Sequence, residues 1–331
     1  MTLPGTPPTT DLPPATRLAR LSRVDRSSYD VLTEHGPRRL PALPPPEQAT
    51  VGDWLAVTDD AVVALLPRST LLARGRASGT SRSQPLAANV DAVLVCASLA
   101  APWSVRRVER LLTLAWESGA TPVVVLTKAD LHDDPAAAVE ALLPHAPGAA
   151  VVTVSATSGD VAALAPYVRP GTTLVLLGPS GAGKSTVVNA LAGGEVMPTG
   201  DVRDVDGKGR HTTSHRELVV LPSGAVVIDT PGLRGIALAG SEQGLARAFS
   251  DVGDLALACR FADCRHSGEP GCAVQASIDA GDLSAERMQS WQHLQRELAF
   301  QARRTDVRLR AEERARWKQV TKAHRARGAR L

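Results

Sequence analysis

The sequence predicts an α/β P-loop fold with a small β-barrel before it and a helical, zinc-binding domain after it. Three observations carry that prediction. Apolar, β-branched runs alternate with helical patterns from Asn89 to about Ala239, the texture of a parallel sheet covered on both faces. A complete G-x-x-x-x-G-K-[ST] sequence sits at 178–185, between one such run and a helical pattern. Three of the four cysteines fall within fourteen positions and share them with a histidine, which favours a metal site over a disulfide framework.

The chain has 331 residues, enough for two or three domains. With aromatics at 3%, its cores must rest on Val, Leu and Ala. Residues 1–16 are rich in Pro and Thr, supply no core, and are expected to form a disordered leader. The N-terminus lacks a signal pattern, and the longest apolar runs fall far short of the ~20 residues of a membrane span. A cytoplasmic, monomeric protein with no membrane partner is expected.

Residues 17–85 carry short β-like runs at 28–32, 51–57 and 61–66, with a Pro-rich loop at 41–46. Several short strands in this length indicate a small barrel. Periodicity does not distinguish an oligonucleotide-binding barrel from other small β domains.

Residues 86–240 form the P-loop domain. Its first strands lie at 92–96 and 122–126, joined by a helix over 104–118. Thr127-Lys128-Ala129-Asp130 follows the second strand. A carboxylate at Asp130 accepts from both N1–H and the N2 amino group of guanine; adenine lacks that donor pair. The Lys128 stem would cover the base face. The familiar form is N-K-x-D, and Thr127 keeps a hydroxyl but loses the carboxamide. A plain turn at a strand end is the other reading of this tetrapeptide. Ser155-Ala156, after the strand 151–154, would close the far side of the base through backbone N–H groups.

Gly178-Pro179-Ser180-Gly181-Ala182-Gly183-Lys184-Ser185, with Thr186 opening the helix, is a phosphate loop. Its glycines let successive N–H groups turn inward, and the helix N-terminus adds positive potential. Lys184 would meet the β- and γ-phosphates and Ser185 a magnesium ion.

A candidate switch, 207–213, offers Thr212 or Thr213 as a further Mg²⁺ ligand, the sequence leaving the choice open. His211 beside them is a candidate catalytic group. Asp229-Thr230-Pro231-Gly232 then follows a buried run: Asp229 would hold Mg²⁺ through water and the Gly232 N–H would meet the γ-phosphate. Leu233 stands where Ras-like GTPases place the glutamine that orients the attacking water. An apolar side chain cannot do that, so slow intrinsic turnover, raised by a partner, is expected.

Residues 241–331 form the last region. Cys259, Cys264, His266 and Cys272 are the right number and type of ligands for tetrahedral zinc. With no open position left, that zinc would be structural. Cys96 lies in an apolar strand and reads as a packed thiol. From Ser284 onward the composition predicts a long helix with a basic face. Between Arg296 and Leu331 twelve Arg or Lys oppose four Asp or Glu, whereas the whole chain carries only +3. A basic end on a mildly acidic body suits a polyanion, nucleic acid first. A solvated helix with pairs to Glu312 and Glu313 is the bland alternative.

The base-reading motifs thus precede the phosphate loop, the reverse of the ordinary small-GTPase order. The same site can be built either way, because each motif sits at a strand end. The chain resembles the circularly permuted, ribosome small-subunit-dependent GTPases of the RsgA (YjeQ) family. Besides the motifs above, the resemblance rests on Gly52-Asp53-Trp54, on 84–91 (QPLAANVD), on 209–213 (GRHTT) and on the cysteine cluster. It implies an oligonucleotide-binding barrel, a GTPase that binds GTP or GDP with Mg²⁺, one structural zinc, and action on the small ribosomal subunit and its rRNA. Two other classes remain open: a P-loop ATPase or kinase, and an RNA-binding scaffold that holds nucleotide without hydrolysing it.

Overall fold

A computed structural model describes residues 3–43, 48–75, 83–198, 217–229 and 242–305. The candidate switch with His211, Thr212 and Thr213, the residues Thr230 to Leu233 and the chain beyond Thr305 lie outside the described residues.

Five N-terminal strands come first: β1 (Arg17–Val24), β2 (Ser28–Thr33), β3 (Gly36–Pro41), β4 (Trp54–Val57) and β5 (Val62–Leu65). They pair antiparallel in the order β3-β2-β1-β4-β5 and enclose Ala19, Leu21, Tyr29, Val31, Leu40, Leu55 and Val57. The strand β3 reads poorly in sequence because its GPRRLP residues carry little apolar pattern. The leader lies against the body here: Pro4 and Gly5 are buried, and Leu3 packs beside Trp54 and Leu66.

A small hairpin of β6 (Leu71–Arg74) and β7 (Gln84–Ala88) leads into the main sheet. There Gly52-Asp53-Trp54 does structural work. A Cβ on Gly52 would stand 2.3 Å from the Ala88 carbonyl oxygen, so only glycine fits. Asp53 is fully buried and accepts from the Thr50 amide and, at both carboxylate oxygens, from Arg68. Burial nevertheless raises its pKa, Arg68 opposing the shift. Asn89 ties the hairpin down by donating to the Gly52 carbonyl and accepting from the Ser69 amide.

The central sheet contains β8 (Ala92–Ser98), β9 (Thr121–Thr127), β10 (Ala150–Val154), β11 (Thr173–Leu177), β12 (Glu217–Val220) and β13 (Val226–Asp229), in the order β10-β9-β8-β11-β13-β12. Helices α1 (Val105–Ser118), α2 (Pro135–Leu142) and α3 (Lys184–Ala192) connect or flank them. The continuous apolar strands are covered on both faces, as expected. Val93, Val95 and Leu126 pack on the α1 side, whereas Leu94, Cys96 and Val125 pack on the α3 side with Val187 and Val188. The sheet is mixed rather than wholly parallel, because β12 reaches β13 through the tight turn at 221–225 and must run antiparallel to it.

Four more helices follow: α4 (Glu242–Ala248), α5 (Ser250–Leu257), α6 (Ala273–Ala280) and α7 (Ala285–Thr305). Leu245, Phe249, Val252, Met288 and Leu294 join the core beneath α1. Helix α4 approaches α1 so closely that a Cβ on Gly244 would lie 2.5 Å from the Thr113 carbonyl oxygen. No described helix is long and apolar enough to cross a membrane.

Candidate functional site

The carboxyl ends of β9, β10, β11 and β13 carry the described nucleotide motifs. Strand order reverses between β8 and β11, the position where open α/β sheets leave a crevice for ligands. The loop 178–183 leaves β11 there. A Cβ on Gly178 would sit 2.5 Å from the Cys96 carbonyl oxygen, and its φ of +151° keeps the chain tight against β8. Gly183, at φ +76°, caps the start of α3. Lys184 Nζ donates to the loop's own carbonyls, Gly178 at 3.0 Å and Pro179 at 2.7 Å. Pro179, Ser180, Gly181, Ser185 and Thr186 remain partly or wholly accessible, while Ala182 is buried.

Thr127 is buried at the end of β9, and its hydroxyl donates to the Ala182 carbonyl at 2.9 Å. The hydroxyl therefore fastens the 127–130 turn to the 178–183 loop, without the carboxamide of the usual asparagine. Lys128 takes the left-handed conformation at φ +58°, which turns the chain outward into Ala129 and the exposed Asp130. The Asp130 amide donates to Ser155 Oγ at 3.0 Å. Ser155 thus braces the 127–130 turn with its side chain, a role the sequence did not suggest, and Ala156 follows in a 3-10 turn.

Asp229 closes β13. Burial raises its pKa and lowers that of Lys184, and the two charges partly relieve one another. Glu217, directly opposite on β12, works against Asp229 as a like charge. A desolvated cation and carboxylate flanking a glycine cradle suit a phosphate and a divalent ion. Cys96, beneath the loop, is an inert packed thiol that burial pushes up to about 12.

Cys259, Cys264, His266 and Cys272 converge, with all four ligand atoms within 4.8 Å of one another. His266 Nδ1 is 3.5 Å from both Cys259 Sγ and Cys272 Sγ, and those sulfurs are 3.9 Å apart. Zinc–ligand bonds of ~2.0–2.3 Å at tetrahedral angles give edges of about 3.5–3.8 Å, so the donor set fits zinc.

A second polar cluster escaped sequence reading because its members lie far apart in the chain. Arg287 of α7 is 2% exposed and donates to Glu109 Oε1 of α1 at 2.9 Å and to both Asp251 oxygens of α5 at 2.5 and 2.6 Å. His145 Nδ1 shares Glu109 Oε1 at 2.8 Å. The guanidinium also lies over the Phe249 ring.

Comparison with known proteins agrees with this geometry. A family model described as RsgA GTPase matches residues 65–239. The small ribosomal subunit biogenesis GTPase RsgA of Streptomyces avermitilis is 48% identical over 90% of this chain and 84% of its own length. A relative of the same name from Listeria innocua is 42% identical over 92% and 90%. Among solved structures, YjeQ from Thermotoga maritima matches with a TM-score of 0.63 at 24% identity, covering 86% of this chain and 99% of that one. YloQ, titled a circularly permuted GTPase, matches with a TM-score of 0.59 at 23% identity over 86% and 95%. The chain belongs to the RsgA family of GTP-hydrolysing enzymes.

Proposed function

We propose that this chain acts in late maturation of the small ribosomal subunit, binding the subunit and its rRNA and hydrolysing GTP to GDP and phosphate under the subunit's stimulation. The observation that carries the nucleotide part is the Thr127–Ala182 bond, which joins a guanine-type motif to a phosphate loop in spite of the permuted order. The names of the relatives support the ribosomal part.

In this reading Asp130 selects guanine, Lys128 covers the base and Ser155-Ala156 closes its other side. The amides of 178–186 cradle the phosphates, and Lys184 leaves the Gly178 and Pro179 carbonyls to meet the β- and γ-phosphates. Ser185, Asp229 through water, and Thr212 or Thr213 hold Mg²⁺, which supplies charge neutralisation at the transferring phosphoryl group. The Gly232 N–H meets the γ-phosphate. With Leu233 in the glutamine's place, turnover alone is slow, and His211 is the candidate group for orienting water. The zinc held by Cys259, Cys264, His266 and Cys272 is structural. Residues 17–85 form the RNA-binding barrel, 86–240 the GTPase and 241–331 the zinc-binding and basic helical domain. The protein works as a cytoplasmic monomer.

The test is GTP turnover with and without small ribosomal subunits, for the wild type and Lys184→Ala. Stimulation by subunits that vanishes in the variant is expected. Undetectable hydrolysis with subunits present would favour a nucleotide-binding RNA scaffold.

A further inference from the structure

Residues 3–6 lie across the seam between the N-terminal strands and the central sheet. On the N-terminal side, Leu3 rests against Trp54, Leu66, Leu18 and Ala64, and Pro4 and Gly5 are buried. On the sheet side, Thr6 Oγ1 donates to the Gly171 carbonyl at 3.2 Å, two residues before β11 begins. Between them Gly5 lies flat over the Arg20 guanidinium of β1. A Cβ on Gly5 would stand 2.9 Å from Arg20 Nη1 and 3.3 Å from Thr173 Oγ1, and its φ of +95° is one that glycine adopts freely.

Covering Arg20 carries a cost. The side chain is fully buried, and Nη2 donates to the Thr173 hydroxyl and the Asn89 carbonyl. Nε and Nη1 have no partner among the described residues. Water would satisfy both donors, and a dry, unpaired donor costs free energy. Closure of 3–6 therefore gains the burial of Leu3 and Pro4 and forfeits hydration of a guanidinium, two terms of the same order. The connection back to β1 is slack. Residues 6, 7, 9–12, 14 and 15 are exposed, and the Thr10 and Thr16 amides donate only locally, to the Pro8 and Pro13 carbonyls. Residues 3–6 can thus lift without moving a strand.

We propose that residues 3–6 are a displaceable strap that locks the N-terminal β unit to the start of β11, with hydration of Arg20 as the force that opens it. Lifting the strap frees the Gly171 carbonyl and admits water to Nε and Nη1. The seam at that end is then left to the bonds of Arg20 with Thr173 and Asn89, and the β unit loosens. The inference stands apart from the nucleotide reading, since Thr173 lies at the end of β11 opposite the 178–183 loop.

The experiment is amide hydrogen exchange on the full-length wild type, Leu3→Ser, Gly5→Ala and Arg20→Met, each first shown by urea denaturation to unfold cooperatively. Leu3→Ser removes the anchor, and Gly5→Ala places a methyl group against the guanidinium. Both are expected to speed exchange at 17–24 and 171–175 about fivefold, with 92–98 and 121–127 within about twofold of the wild type. Arg20→Met has no N–H groups to hydrate, so exchange at 17–24 should slow about threefold. Wild-type rates at 17–24 and 171–175 in both strap variants would overturn the proposal. Faster exchange at 17–24 in Arg20→Met would also overturn it, by showing that the guanidinium pins the seam instead of opening it.

Discussion

The Thr127 hydroxyl donates to the carbonyl of Ala182 across 55 residues of sequence, at 2.9 Å and in a buried position. In the proposed reading, that bond is where the permuted chain closes its nucleotide site. Removing the hydroxyl in Thr127→Val leaves the Ala182 acceptor without this partner, a loss of about 1–2 kcal/mol. Affinity for GDP is expected to fall roughly tenfold, with the preference for guanine retained because Asp130 is untouched. Isothermal titration checks both parts; an unchanged affinity would show that the bond is not what aligns the two loops.

Arg287 holds the C-terminal helices to α1 through Glu109, with Asp251 as its second partner. Arg287→Met leaves Glu109 buried with one carboxylate oxygen already unpartnered among the described residues. Breaking a buried pair from one side costs about 3–5 kcal/mol. Urea denaturation should register that loss, and the double variant Arg287→Met/Glu109→Leu should recover most of it. A loss below about 1 kcal/mol in the single variant would contradict the clamp.

Arg20 presents the opposite case. It is fully buried over Trp54, donates to Thr173 Oγ1 and the Asn89 carbonyl, and leaves Nε and Nη1 without a partner among the described residues. Burial lowers its pKa to about 10, with Asp91 and Asp53 opposing the shift. Below pH 10 folded and unfolded chains both hold the proton, and the burial penalty is fully present. Above pH 10 the unfolded chain binds more protons, so this group's contribution to stability rises with pH there. Arg20→Met is therefore expected to be neutral or stabilising by up to about 2 kcal/mol at pH 7. Urea midpoints at pH 7 and above pH 10 should show the advantage shrinking as pH rises.

The zinc assignment predicts one metal equivalent per chain by elemental analysis. Cys264→Ser should weaken zinc binding at least about 100-fold and lower the melting temperature. Full retention of zinc by that variant would remove Cys264 from the ligand set.

Where chemistry fixes spacing within one segment, the chain was easy to read. The phosphate loop, the cysteine cluster and the apolar strands β8, β9 and β11 each carry their own pattern, and α1 shows its buried face at Val108, Leu111, Leu112 and Ala115. The antiparallel turn of β12 and the weakly patterned β3 were hidden because pairing partners, not local composition, define them. Long-range bonds were also invisible. Nothing in T-K-A-D reveals that its threonine reaches Ala182, and Ser155 suggested only a backbone role. The cluster of Glu109, His145, Asp251 and Arg287 draws on four separate elements and has no local signature. Gly52-Asp53-Trp54, which reads as a family mark, proves to be a packing solution around Ala88, Arg68 and Arg20.

Nucleotide competition measures whether a pocket assembled from rearranged segments selects guanine. Displacement of a fluorescent GDP by GTP and by ATP, in the wild type and in Asp130→Asn, compares the two purines at one site. GTP is expected to displace the probe at least about 100-fold more effectively than ATP, and Asp130→Asn to erase most of the difference. ATP displacing as well as GTP, or a preference unmoved by Asp130→Asn, would contradict it.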